Sequence, residues 1–124
     1  MDRIRTDVFT RDNKNFMYID LSEFKTNEEL TAITQDIGLE IAKYPPGSLY
    51  TITNIDNIRF DTESKAITAK YMEQNGPYVK YGAIIGLDGI KKIMAGLIFT
   101  MSGRKNMIFA YTKEQAVELL LRKE

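Results

Sequence analysis

The sequence contains no cysteine and no histidine in 124 residues. Without cysteine there is no disulfide, no thiolate nucleophile and no Cys-based zinc or iron–sulfur site, which agrees with a reducing compartment. Without histidine, Ser–His–Asp and Cys–His catalysis are excluded, and the commonest general base and metal ligand are both missing. Neither charge sign is in excess: 17 basic and 17 acidic residues cancel. The chain therefore has no long-range field to concentrate nucleic acid, and no block of like charge forms a tail. No hydrophobic run reaches the length of a membrane span, and Met1-Asp2-Arg3-Ile4-Arg5 lacks the apolar core of a signal peptide. A cytoplasmic protein with no integral membrane segment is expected.

What remains is ordinary globular composition, 44% hydrophobic and 27% charged. A chain of this length builds one hydrophobic core, so a single domain over residues 1–124 is expected.

The order of elements is readable from turns and caps. Asn15-Phe16-Met17-Tyr18-Ile19-Asp20 is rich in aromatic and branched residues and follows the polar turn Arg11-Asp12-Asn13-Lys14. A short strand over Thr6–Thr10 pairs with it as a hairpin. Thr26-Asn27-Glu28-Glu29 is a capping box, followed by Leu30, Ile33, Ile37 and Ile41 at helical spacing and a stop at Pro45-Pro46-Gly47. Leu49–Ile55 alternates apolar and Thr/Asn residues as a strand does, and a second helical pattern from Asp61 ends at Asn75-Gly76-Pro77. Tyr78–Ile85 and Lys105–Tyr111 read as strands, with a broadly apolar helix between them. Thr112-Lys113-Glu114-Gln115 caps a terminal helix.

Helices are thus predicted near 27–44, 62–75, 89–102 and 113–123. The fold class is α/β: an N-terminal hairpin, then β-α four times, giving a mixed, mostly parallel sheet of four or five strands with four helices.

Ligands and partners of such sheets gather where strands end and helices begin. The richest of these loops runs from Asn54 to Ser64. Locally, Asp61 reads as an N-cap, Thr62 and Glu63 as the first turn, and Ser64 as completing local hydrogen bonds. The Gly86-Leu87-Asp88-Gly89 loop matches no phosphate-binding pattern and reads as a tight strand-to-helix turn. The helix it opens carries Ile90, Ile93, Met94, Leu97, Ile98, Phe99 and Met101 around much of its circumference, more than one sheet-facing stripe needs. Two readings stand there: a deeply buried helix, or an apolar surface (Met94, Ile98, Phe99, Met101) that meets a partner, a second copy of the chain or an apolar ligand. Lys91, Lys92, Arg104 and Lys105 make a modest basic patch of the kind that solvates a face. Tyr18, Tyr50, Tyr78, Tyr81 and Tyr111 are expected to pack the sheet with hydroxyls at its rim.

A strand, two hydrophobic anchors and Asp61-Thr62 at a helix start resemble the STAS domain of bacterial anti-sigma-factor antagonists. The resemblance also runs through Tyr78-Val79-Lys80-Tyr81-Gly82-Ala83-Ile84-Ile85-Gly86-Leu87 and follows the order of elements from Phe16 onward; a STAS or lipid-binding-like bacterial branch is similar too. It implies a regulatory protein-interaction module with Thr62 as the residue phosphorylated by a partner kinase and Asp61 as the acidic residue before it. Glu63 and Lys65 replace the family's usual small-residue run. Asp56, Asp61, Ser64, Gly86 and Asp88 are then the expected contacts for a protein partner, a kinase or an anti-sigma-like regulator. The chain is expected to be no enzyme and to need no cofactor. Two other classes remain open. One is a small-molecule or lipid-binding domain with an apolar pocket beside the 90–101 helix. The other is an enzyme using Asp56 and Asp61 as acid and base or as magnesium ligands.

Overall fold

A computed structural model of the chain describes residues 5–58 and 61–123, and at residues 89–94 and 97 it describes the backbone alone. Strand β1 (Thr6–Arg11) and strand β2 (Lys14–Asp20) form an antiparallel hairpin. Its two-residue turn has positive φ at both Asp12 (53°) and Asn13 (64°), a type I′ geometry whose twist matches that of the strands. Helix α1 (Asn27–Ile41), β3 (Leu49–Asn54), α2 (Thr62–Asn75), β4 (Val79–Ile85), α3 (Gly89–Ser102), β5 (Met107–Phe109) and α4 (Lys113–Leu121) follow. The strands form a single five-stranded sheet in chain order, with β2 to β5 parallel. The expected α/β class and hairpin-then-(βα)4 order are those of the structure.

Strand order fixes where the helices lie. Each right-handed crossover moves one strand further in the same direction, so α1, α2 and α3 fall on one face. There they cover Met17, Ile19, Leu21 and Leu49 with Leu30, Ile37, Ile41 and Ile98, all buried. Strand alternation sends Phe16, Tyr50, Ile52, Ala83 and Ile85 to the opposite face, and α4 alone covers them through Ala116, Val117 and Leu120. Among the described residues no helix is long and apolar enough to cross a membrane.

Three elements end earlier than their patterns suggest. Helix α1 stops at Ile41, and the chain continues to Tyr44 in i→i+3 turns through Lys43 N–H to Glu40 and Tyr44 N–H to Ile41. Helix α4 closes in the same way after Leu121. Strand β5 has only three residues because side-chain bonds replace its first ladder rungs: the Asn106 amide donates to the carbonyls of Val79 and Lys80 at 3.0 and 2.8 Å.

The tyrosines divide. Tyr18 keeps its hydroxyl at the sheet's end, accepting from Asn54 Nδ2 at 3.2 Å. Tyr111 is 76% exposed and packs little, contrary to expectation. The hydroxyls of Tyr50 and Tyr71 are buried without a hydrogen-bond partner. Burial pushes the Tyr71 hydroxyl well above its ordinary value of 10.0, with Arg104 and Asn75 acting weakly in the opposite direction.

An unsatisfied buried hydroxyl costs free energy that its removal recovers. Tyr71→Phe is therefore expected to leave stability unchanged or raise it by about 1 kcal/mol in urea unfolding near neutral pH. Because the folded-state value is raised, the unfolded chain ionises first as pH climbs past 10.0. Stability falls in that window, and Tyr71→Phe makes the fall shallower. A loss above about 1 kcal/mol in the variant near neutral pH would mean the hydroxyl is bonded after all.

Candidate functional site at the carboxyl edge of the sheet

Four parallel strands end at one edge, so their following loops meet there. The loop after β2 is tied to the loop after β3 by Leu21 N–H to Asn54 O (2.8 Å) and Glu23 N–H to Asp56 O (2.9 Å), and by Lys25 Nζ to Asn57 O (3.2 Å). The loop after β3 is bent by Asn54, whose Oδ1 accepts from Asp56 N–H at 2.9 Å, and by Asn57 at φ 55°. Against it lies Gly86, at φ +85°, where an added Cβ would stand 2.6 Å from both Asn54 Oδ1 and Asp56 N. Only glycine meets both demands, left-handed backbone and close approach.

Beside this contact is a cleft of about 280 Å³ lined by Asp56, Gly86, Leu87, Asp88, Ala110 and Tyr111. Asp56 and Asp88 are exposed at its wall and Tyr111 at its rim. Three expected contacts, Asp56, Gly86 and Asp88, thus converge in one cleft. Sequence reading missed Tyr111, because extending β5 to residue 111 hid it in the sheet; its place just before the Thr112 cap was the available signal.

The remaining candidates sit at the start of α2, away from the cleft's lining. Asp61 is the N-cap: its Oδ1 accepts from Ser64 N–H (2.8 Å), and Ser64 Oγ accepts from Asp61 N–H (2.8 Å). The first residue of α1, Asn27, reaches across and donates its amide to Glu63 Oε1 at 3.0 Å and to both Asp61 carboxylate oxygens at 3.4 Å. Ser64 is 1% exposed and its hydroxyl is spent inside the box, so it builds the helix start and offers no side chain to a partner. Thr62 stands between the two clamped carboxylates on the outer side of the first turn. It is exposed, and its hydroxyl makes no hydrogen bond to the described residues.

Asp56 and Asp61 are divided between the cleft and the cap, so they form no acid–base pair in one pocket. No group of three or more acidic residues able to hold a metal ion occurs among the described residues.

Of the apolar candidates on α3, Ile98 is buried and Phe99 half-buried, stacked on Phe109 with ring centroids 5.6 Å apart. Both face an internal cavity of about 40 Å³ between the sheet and helices α2 and α3. Met101 is 57% exposed. The side chains of Met94, Lys91 and Lys92 lie outside the described residues. No protein-family model matches this sequence, and no curated protein is significantly similar to it.

Three substitutions separate scaffold from surface here. Gly86→Ala is expected to cost about 2–3 kcal/mol, since it combines strained backbone with an overlap against the neighbouring loop. Asp61→Ala should cost about 1 kcal/mol through the lost cap, while Thr62→Ala stays within roughly 0.5 kcal/mol of the parent. Chemical denaturation of the three variants reads this order, and a Thr62→Ala loss as large as that of Asp61→Ala would make Thr62 part of the cap.

Proposed function

We propose that the chain is a STAS-like protein-interaction module of bacterial regulation, switched by phosphorylation of Thr62. The observation that carries the proposal is the state of that residue: an exposed hydroxyl on the first turn of α2 that bonds to none of the described residues, with its neighbours held by the Asp61–Ser64 box. A kinase needs a reachable hydroxyl, and a binding switch needs a fixed backbone around it. The first turn of α2 supplies both, the exposed Thr62 hydroxyl and the backbone held by the Asp61–Ser64 box.

The switch follows from charge. A phosphoryl group adds roughly −1.5 to −2 charge next to the Asp61 and Glu63 carboxylates. The positive end of the α2 dipole offsets part of that repulsion. The rest falls on the Asn27 amide, a donor shared by the two carboxylates, for which the phosphate oxygens compete. The loop after β2 and the start of α2 then change their mutual hold, and a partner that reads both surfaces changes its affinity. An acidic partner surface is repelled outright.

A second reading, a small-molecule-binding domain, is supported by the cavity beside α3. Its size of about 40 Å³ suits a fragment of a few heavy atoms; an acyl chain would require α3 to move outward.

The test of the switch is binding of the protein encoded beside this gene to wild type, Thr62→Ala and Thr62→Glu. Ala is expected to bind like the unmodified protein. Glu, a partial mimic with less charge than phosphate, is expected to bind differently by an amount that shrinks as salt rises. Equal affinity in all three, with equal stability, would leave Thr62 an ordinary first-turn residue.

A further inference from the structure

The cavity between the sheet and the α2–α3 layer exists because the middle of the sheet carries small side chains on that face. Thr51 and Thr53 of β3 stand where larger residues would fill the gap. Beside them Gly82 of β4 has no room to grow, since a Cβ there would lie 2.7 Å from Thr51 Oγ1 and 2.8 Å from the Met107 thioether. The walls are otherwise apolar, formed by Ile98, Phe99 and Met107 among others.

Two polar groups line this cavity, and one of them lacks the partner that burial normally demands. Tyr71 is 7% exposed and its hydroxyl is unpartnered. Asn75 approaches that hydroxyl without completing a hydrogen bond, and Arg104 is close enough to interact with it electrostatically. Arg104 is itself largely withdrawn from water. Its guanidinium donates to Asn106 Oδ1 (2.8 Å), to the Met72 carbonyl near the end of α2 (3.2 Å) and to the Met107 sulfur (3.0 Å), and among the described residues no carboxylate pairs with it. The carbonyl end of α2 compensates this charge in part. A weak sulfur acceptor leaves the far edge of the fork available to a better one. Burial accordingly lowers the Arg104 pKa from its ordinary value.

We infer that this cavity is a binding site for a small aliphatic carboxylate. The carboxylate would lie across the Arg104 guanidinium and accept from the Tyr71 hydroxyl, with its tail against Ile98, Phe99 and Met107. Carboxylate and guanidinium match as a planar, charge-assisted pair, which an alcohol or amide cannot reproduce. Volume sets the tail length. A water needs ~10–15 Å³ of such space, so about 40 Å³ accommodates roughly three or four heavy atoms, a carboxylate of one or two carbons in all. The inference deepens the small-molecule reading and is independent of Thr62.

Nitrogen–proton and methyl NMR spectra of the intact chain, titrated with formate, acetate and propionate at constant ionic strength, test it, with ethanol and acetamide as neutral counterparts. Saturable shifts are expected at Ile98, Phe99 and Met107, strongest for the two-carbon acid, with the neutral counterparts weaker by about tenfold or more. Tyr71→Phe should weaken acetate by roughly threefold or more without affecting ethanol. Arg104→Gln should abolish the preference for acid, and Arg104→Lys should restore part of it. Because Arg104 also holds the end of α2, the comparison of acid with alcohol on the wild-type chain decides the matter even if Arg104→Gln unfolds. Equal shifts from acetate and ethanol would remove the carboxylate assignment while keeping a small-molecule site. No saturable shift from any of the five compounds would overturn both.

Discussion

The handedness of the βαβ crossover is the constraint on which the rest depends. With β2 to β5 parallel and adjacent in chain order, three successive right-handed crossovers stack α1, α2 and α3 on one face. The opposite face is left to α4, a nine-residue helix that crosses β3 and β4 through Ala116, Val117 and Leu120. The two faces therefore carry unequal packing duties. On the thin side large rings fill the space, with Phe9, Phe16, Tyr50 and Tyr81 in a chain of contacts at 5.2 to 6.2 Å between centroids. On the thick side the helices bring the bulk, and the central strands can afford Thr51, Thr53 and Gly82.

The same constraint places every strand-to-helix loop at one edge. That edge is held together by backbone-to-backbone bonds between loops, by the Asn54 side chain and by the fit of Gly86 against Asn54 and Asp56. Its rigid parts are thus polar and internal, while Thr62, Asp56, Asp88 and Tyr111 remain on the outside. A site of this kind suits recognition by another protein: fixed loops carrying exposed polar groups, with the exposed ring of Tyr111 beside them. The opposite end of the α2–α3 layer has a different character, an apolar interior bordered by the Arg104 guanidinium and a buried tyrosine hydroxyl without a hydrogen-bond partner. The STAS-like assignment and the carboxylate site draw on separate ends of α2, so each stands or falls on its own observations.

Local chemistry was legible in the sequence wherever a short-range interaction decides the structure. Thr26 and Thr112 accept from the N–H groups of Glu29 and Gln115, and Asp61 and Ser64 cap each other, as their spacing implies. Asp12-Asn13 turns the hairpin because both residues tolerate positive φ. Long-range effects were not legible. The Asn106 side chain shortens β5 by bonding to residues more than 25 positions earlier. Ser64 is withdrawn from any partner because the helix start is packed inward, and Asn27 reaches Asp61 and Glu63 only because the crossover lays α1 beside α2. Phe99 and Ile98 were candidates for an outer surface by helical spacing, yet spacing alone does not say which stripe of a broadly apolar helix faces the sheet.

The central claim is that the carboxyl edge around Thr62 is where this protein meets its partner. Site-specific photocrosslinking in the native cell tests it most directly, with a benzoylphenylalanine side chain placed at Thr62 in one variant and at Lys43 in another. Lys43 is likewise exposed, but it lies between α1 and β3 at the opposite edge of the sheet. The account predicts a discrete crosslinked protein from position 62 and none from position 43. The same crosslinks from both positions, or none from position 62 under any growth condition, would contradict it.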